Sequence, residues 1–121
     1  MSESDLHRIV DAALSTLSEG ERRSSAVYLD IKELPAGDAV CIDRKTTTTA
    51  PVRGYLAFVD PSPTANWGHP CRYLFVESKT QRIREIPAQF PPFLGGASPT
   101  LRLIWKGPDV PEAVLPTVPA I

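Results

Sequence analysis

Two short apolar runs with a polar loop between them constrain this fold more than any other feature of the sequence. The runs cover 55–59 and 71–76 and are rich in aromatic and branched residues, a composition that favours strands over helices. Both are apolar on two faces, which is typical of central strands that are covered on both sides. The sequence therefore predicts two buried strands that form a rigid frame for the loop between them, residues 60–70.

An amphipathic helix is predicted near the start of the chain, over residues 4–18. Ser2 or Ser4 is a suitable N-cap, and Gly20 is a suitable residue for ending the helix. The apolar residues recur at the spacing that places them on one side of a helix: Leu6, Ile9, Val10, Ala13, Leu14 and Leu17. We expect this side to pack on a sheet, with Leu14 as a core residue.

A hairpin is predicted to follow the helix. Residues 26–32 alternate between apolar and polar side chains, as in a strand with one buried face. The Pro and Gly of 34–38 indicate a turn that leads into a second strand over 39–43. The four threonines at 46–49 favour an exposed edge or loop.

A second hairpin is predicted over 71–86, and a last strand over 101–105 has Leu101, Leu103 and Trp105 on one face. One helix followed by hairpins indicates an α+β fold, with an antiparallel sheet of five to six strands and the helix on one face. We expect 1–107 to form one domain. Residues 108–121 contain four prolines and are predicted to be an extended tail that contributes little to stability.

The composition argues against several classes of function. Charged residues make up 22% of the chain and the net charge is −1, so no electrostatic attraction to nucleic acid or to an anionic membrane is expected. The first ten residues are acidic and polar, whereas a signal peptide begins with basic and then apolar residues. This difference predicts a cytoplasmic protein. In that compartment Cys41 and Cys71 are expected to be thiols that are not bonded to each other.

His69 and Cys71 are the candidate catalytic residues because a thiol beside an imidazole can become a nucleophilic thiolate. With Cys41 or His7 they would also supply metal ligands. However, the sequence contains no CxxC or HExxH motif and no third ligand at close spacing. The favoured interpretation is a structural histidine and a buried cysteine, with no catalytic residue, no metal and no cofactor.

The same part of the chain carries the groups that suit recognition of a protein partner. Trp67 offers a large contact area, although it could instead pack over the sheet with Asn66 bracing the loop. The arginines of the second hairpin suit an anion or an acidic peptide, or else form a solvated surface. The predicted partner-binding residues are Asn66, Trp67, His69, Arg72, Arg82 and Arg84.

Residues 72–86, RYLFVESKTQRIREI, resemble the hairpin of small cystatin-like and PepSY-like α+β modules. There, an apolar strand runs into a short polar turn and then a strand that reads T-x-x-I-x-x-I. Thr80, Ile83 and Ile86 match this pattern, whereas Gln81 stands where glycine is typical. The resemblance implies a helix-on-sheet roll, often used to bind or inhibit proteins including peptidases, and it transfers no catalytic residues.

Three functions are compatible with these patterns. The leading hypothesis is a small noncatalytic binding or accessory protein, of the immunity, inhibitor or adaptor type, that acts through the 60–70 loop. The first alternative is a thiol-dependent enzyme that uses Cys71 with His69. The second alternative is a structural subunit of a larger assembly, with the proline-rich tail on a neighbour. The oligomeric state is left open.

Overall fold

The computed structural model describes residues 2–42, 46–65, 68–92 and 98–121, which have an α+β fold. The helices are α1 (Glu3–Leu14) and α2 (Glu19–Ser24), and a short 3-10 turn covers Glu112–Val114. The strands are β1 (Ala26–Asp30), β2 (Ala39–Ile42), β3 (Thr46–Thr49), β4 (Gly54–Asp60), β5 (Cys71–Glu77), β6 (Ile83–Ala88) and β7 (Leu101–Lys106). None of the helices in these ranges is long and apolar enough to cross a membrane.

Five strands form one antiparallel sheet in the order β6-β5-β4-β1-β7, and β2 pairs with β3 as a separate two-stranded ribbon. This confirms the predicted α+β class and the antiparallel sheet. The two apolar runs of the sequence are β4 and β5, and they are neighbours as predicted. We call the side of the sheet that meets α1 the helix face and the side that meets the β2–β3 ribbon the ribbon face.

The helix face is packed by the apolar side of α1. Ile9 and Ala13 are buried there together with Leu17, which follows the helix. They meet alternate residues of the central strands, such as Leu29 and Leu74. The predicted packing of the first helix on the sheet is thus confirmed, although Leu14 is only partly buried at its margin.

The predicted helix over 4–18 ends earlier than expected, at Leu14, and a separate short helix, α2, begins at Glu19. Ser2 caps the start of α1 by accepting a hydrogen bond from the Asp5 N–H at 3.1 Å, as predicted. The hydroxyls of Ser15 and Thr16 bond back to backbone carbonyls, which competes with continuation of the helix. A capping box then starts α2, so the expectation that Gly20 ends the first helix was wrong because Gly20 lies inside the second.

The predicted hairpin over 26–43 was wrong, as was the half-buried strand within it. β1 pairs with β4 and β7, so it is an interior strand of the sheet, and it is buried on both faces. Tyr28, expected on a polar face, is 1% exposed and stacks near Phe58 with ring centroids 6.2 Å apart. The misleading polar residues lie where the strand ends, because Asp30 is its last residue and Lys32 comes after it.

A register shift between Val27 and Tyr28, in the pairing of β1 with β7, changes the predicted faces of the last strand. Leu101 and Leu103 pack on the ribbon face, as predicted. Trp105 instead packs on the helix face, where its indole N–H donates to the Arg22 carbonyl at 2.8 Å. A bulge places an extra residue in one strand and therefore reverses the alternation beyond it.

The predicted hairpin over 71–86 is confirmed as β5 and β6. Gln81, in the turn of this hairpin, has a positive φ of 57°, a conformation that glycine adopts at no steric cost. Its side chain donates to the Ser78 carbonyl at 2.7 Å, which braces the turn. β6 runs on through Pro87, as an edge strand allows, since its outer side needs no backbone donor.

The tail after Gly107 lies against the body of its own chain. Val110 is buried, and Leu115 and Val118 pack against the core of the ribbon face. Leu103 and Ala120 form an isolated parallel bridge, so the end of the tail pairs with the edge strand β7. These contacts lead us to expect a larger contribution to stability than the sequence predicts.

Candidate functional site

The base of the 60–70 loop is organised by one buried carboxylate. Asp60 is 4% exposed at the end of β4, and its Oδ1 atom lies 2.7 Å from His69 Nε2. The same oxygen accepts a hydrogen bond from the Ser62 N–H at 3.0 Å. Asp60 therefore fixes both ends of the loop. The sequence missed this role of Asp60 because the two partners meet only when β4 and β5 pair.

The rest of the loop is partly described. Ser24 of α2 donates to the Pro61 carbonyl at 3.4 Å, and Gly68 has a positive φ of 83°. The predicted recognition residues Asn66 and Trp67 lie outside the described residues. Their part in the site remains a prediction from the sequence.

Cys71 begins β5 and is 7% exposed, within the core of the ribbon face beside residues such as Tyr73. Cys41 is exposed on β2, in the other sheet, and the two are not joined by a disulfide, as predicted. The aromatic cluster of this core extends from Tyr73 through Phe58 to Tyr28. Burial, with a smaller effect from the Asp60 carboxylate, raises the pKa of the Tyr28 hydroxyl.

Arg72 points to the helix face and holds α2 to the sheet. Its guanidinium makes two hydrogen bonds to the Glu21 carboxylate, at 2.7 and 3.1 Å. Its Nε atom also lies 2.7 Å from Glu85 Oε1, an ion pair in which the N–H is not directed at the oxygen. The hydrogen bond from Arg72 is the main reason that the pKa of Glu21 is lowered. Arg72 thus has two carboxylate partners within its own chain.

Arg82 and Arg84 are exposed on the β5–β6 hairpin. Arg84 pairs with Phe75 across the strands, whereas Arg72 pairs with Pro87, so Arg84 and Arg72 lie on opposite faces of the sheet. The sequence interpretation took Arg72 as a near neighbour of Arg82 and Arg84 across the hairpin, whereas the register places Arg72 on the face opposite to Arg84. Alternation within β5 shows which face of the sheet Arg72 lies on. The face of Arg84 also depends on how β6 is aligned with β5, which the sequence does not show.

An apolar cleft of about 220 Å³ separates the ribbon from the five-stranded sheet. Val40 and Ile42 form its wall on β2, and Phe75 and Ile86 lie among the residues opposite. Arg84 is the charged side chain in its lining. The sequence shows the apolar alternation of each strand, but it does not show that the ribbon folds over this face, and so the cleft was missed.

A second cleft, of about 380 Å³, opens on the helix face and is lined mainly by residues of charged or polar type. Its Glu33 carboxylate accepts a hydrogen bond from Ser78 at 2.6 Å and lies 3.6 Å from Arg53. Burial, and then the nearby Glu33 charge, raises the pKa of Tyr55. Because Glu33 already has these partners within the chain, this cleft is less suited to an incoming ligand than the apolar one.

Among the described residues, no three His, Cys, Asp or Glu side chains lie close enough together to hold a metal ion. Asp60, His69 and Cys71 are residues at this end of the sheet whose side chains are of the types that act as acids, bases or nucleophiles. Comparison with protein-family models, with curated proteins and with solved structures found no match to this chain. The resemblance of 72–86 to the cystatin-like and PepSY-like hairpin stays a hypothesis.

Proposed function

We propose that this protein is a noncatalytic binding module, of the immunity, inhibitor or adaptor type, that recognises a protein partner through its 60–70 loop in the cytoplasm. The observation that carries the proposal is the buried Asp60 carboxylate, which contacts His69 and the Ser62 N–H at the two ends of the loop. β4 and β5, which flank the loop, are neighbouring strands of the five-stranded sheet. Irregular loops on rigid frames are where binding groups are concentrated.

Preorganisation explains how such a loop would bind well. Prolines at 61, 63 and 70 restrict the backbone, and the Asp60 contacts restrict it further. A loop that is ordered before binding loses less conformational entropy on association. The sequence supplies Trp67 as the large apolar contact. It also supplies His69, and histidine is the residue type that changes charge near neutral pH.

The test compares Trp67→Ala with Val114→Ala, which removes an exposed apolar side chain far along the chain, in the tail. Tagged protein would be crosslinked in its native cells, and the partner identified by mass spectrometry and then purified. Trp67→Ala is expected to weaken the binding free energy, calculated from the measured Kd, by about 2 kcal/mol or more. Val114→Ala is expected to leave the Kd unchanged. Equal Kd values for wild type and both variants would contradict the proposal.

A thiol-dependent enzyme is the second candidate, and the Asp60–His69 contact favours it. A base that activates a thiol is commonly oriented by a third group, and Asp60 is suited to that role toward His69. The burial of Cys71 argues against it. Alkylation of the single-cysteine variants Cys41→Ser and Cys71→Ser separates the two functions. Faster reaction of buried Cys71 than of exposed Cys41 would support the enzyme, and slower reaction supports the binding module.

A subunit of a larger assembly is the third candidate from the sequence. It requires the tail to lie on a neighbour, whereas Leu103 and Ala120 pair within one chain. Sedimentation analysis of the purified protein tests this candidate directly. A single species at the mass of one chain is the result expected for the binding module.

A further inference from the structure

The cleft between the β2–β3 ribbon and the sheet combines an apolar interior with one cation. Its walls are built from side chains of both layers, including Ile42 from the ribbon and Leu56 and Phe75 from the sheet. The polar groups in the rest of its lining belong to Thr48 and Thr49. The interior is therefore suited to hydrocarbon.

Arg84 supplies the charge. It lines the cleft from the edge strand β6, and among the described residues no carboxylate lies within ion-pair distance of its guanidinium. Arg72, on the opposite face, is held by two carboxylates. Because Arg84 has no such partner among the described residues, its guanidinium, a planar set of N–H donors, is suited to binding the carboxylate of a ligand.

The size and polarity of the cleft limit the ligand. An apolar cavity of roughly 150 Å³ binds benzene in another protein, and this cleft measures about 220 Å³. A peptide end would bring amide groups into a lining that offers few partners, and an unpaired buried amide is unfavourable. We propose that the cleft binds a small apolar monocarboxylic acid, whose hydrocarbon part lies between ribbon and sheet and whose carboxylate is held by Arg84.

Octanoate is a suitable probe, and titration calorimetry gives its Kd. We expect saturable binding, with octanol, which has the same chain without the charge, bound at least about tenfold more weakly. Octylammonium should bind more weakly still, because its charge is opposed by Arg84. Equal affinities for octanoate and octanol would overturn the role of Arg84, and a lack of saturable octanoate binding would overturn the site.

Variants locate the site. Arg84→Gln is expected to lower the octanoate affinity about tenfold, to the level of octanol. Arg82→Gln is the matched control, since Arg82 is exposed on the same hairpin but does not line the cleft, and it should leave the affinity unchanged. Thr48→Phe should fill the cleft and block octanoate while far-UV circular dichroism stays native. Unchanged binding in Arg84→Gln or in Thr48→Phe would overturn the assignment.

A peptide ligand is tested in the same series. If an acetylated dipeptide that ends in leucine binds more tightly than octanoate, the cleft recognises peptide carboxyl ends and the proposal of a small acid is wrong. The cleft is separate from the 60–70 loop. A negative result with octanoate therefore leaves the loop proposal unaffected.

Discussion

The two faces of the central sheet are covered in different ways. On the helix face, α1 presents a continuous apolar stripe, and Ile9 and Ala13 are almost completely buried against the strands. On the ribbon face, a short two-stranded ribbon covers a larger aromatic surface and leaves the apolar cleft. The β3 side chains that line this cleft are Thr48 and Thr49, which are small for the space they face.

This difference shows how similar apolar patterns produce a filled core on one side of a sheet and a binding cavity on the other. A helix packs side chains from successive turns into one surface. A two-stranded ribbon presents only alternate residues, so its short side chains leave gaps. Changes on the helix face should therefore act on stability, and changes in the lining of the cleft should act more on ligand binding.

The largest effect is expected for Ile9→Ala on the helix face. Removing this buried side chain should cost on the order of 2–5 kcal/mol of unfolding free energy, because α1 cannot move in to fill the space. Ile42 is equally apolar but lines the cleft. Ile42→Ala should cost about 1 kcal/mol less than Ile9→Ala, because the side chain of Ile42 already borders a gap. Urea denaturation measures both. Equal losses would remove the energetic distinction between the two faces.

The tail gives the next largest effect and belongs to the ribbon face. Deleting 108–121 should cost at least about 1.5–3 kcal/mol, the value for exposing one fully buried valine such as Val110, with further loss from Leu115 and Val118. Val114→Ala, at an exposed site in the same segment, should change the stability by less than about 0.5 kcal/mol. An unchanged thermal midpoint in the truncated protein would restore the sequence-based expectation of a dispensable tail.

Arg72→Met tests the ionic contact that holds α2 on the helix face. We expect a loss of about 1.5–3 kcal/mol at neutral pH, the value for hydrogen bonds to charged groups. Because Arg72 holds the pKa of Glu21 below 4.5, this stabilisation is complete above that pH and is lost as the pH falls through the lowered pKa. The variant should therefore lose less stability on acidification than wild type.

Denaturation of both proteins at neutral and acidic pH measures this difference, and Arg82→Met serves as the exposed control on the neighbouring hairpin. Parallel pH profiles for Arg72→Met and wild type would show that Glu21 is not stabilised by Arg72. The ribbon face then provides the contrast, since Arg84 makes no ion pair there with a described residue and its loss should leave the pH profile unchanged.

The smallest effects come from enlarging a side chain on each face. Ala13→Leu should cost about 1–3 kcal/mol, because Ala13 is completely buried and the helix has no space for added carbons. Thr48→Ile points added carbons at the cleft and should change stability by less than about 0.5 kcal/mol. Thermal unfolding compares the pair. A comparable loss in Thr48→Ile would mean that the cleft closes in solution.

The sequence identified most residues of the candidate site, but it did not show how they are arranged in space. The sequence identified the 60–70 loop, His69 and Cys71, and it predicted that Cys71 is buried, which its 7% exposure confirms. It did not indicate Asp60 as the partner of His69, nor Glu21 as the partner of Arg72, which is 51 residues away. Those contacts depend on which strands pair and on which side α2 lies.

The sequence by itself determined the local structure: the Ser2 cap, the β5–β6 hairpin and the two faces of β4 and β5. Each depends on side-chain spacing or turn chemistry within a few residues. Only the tertiary structure decided that β1 lies between β4 and β7, that β2 and β3 leave the main sheet, and that Trp105 turns to the helix face. Such long-range pairings depend on the burial that the whole chain achieves, and local alternation is compatible with more than one of them.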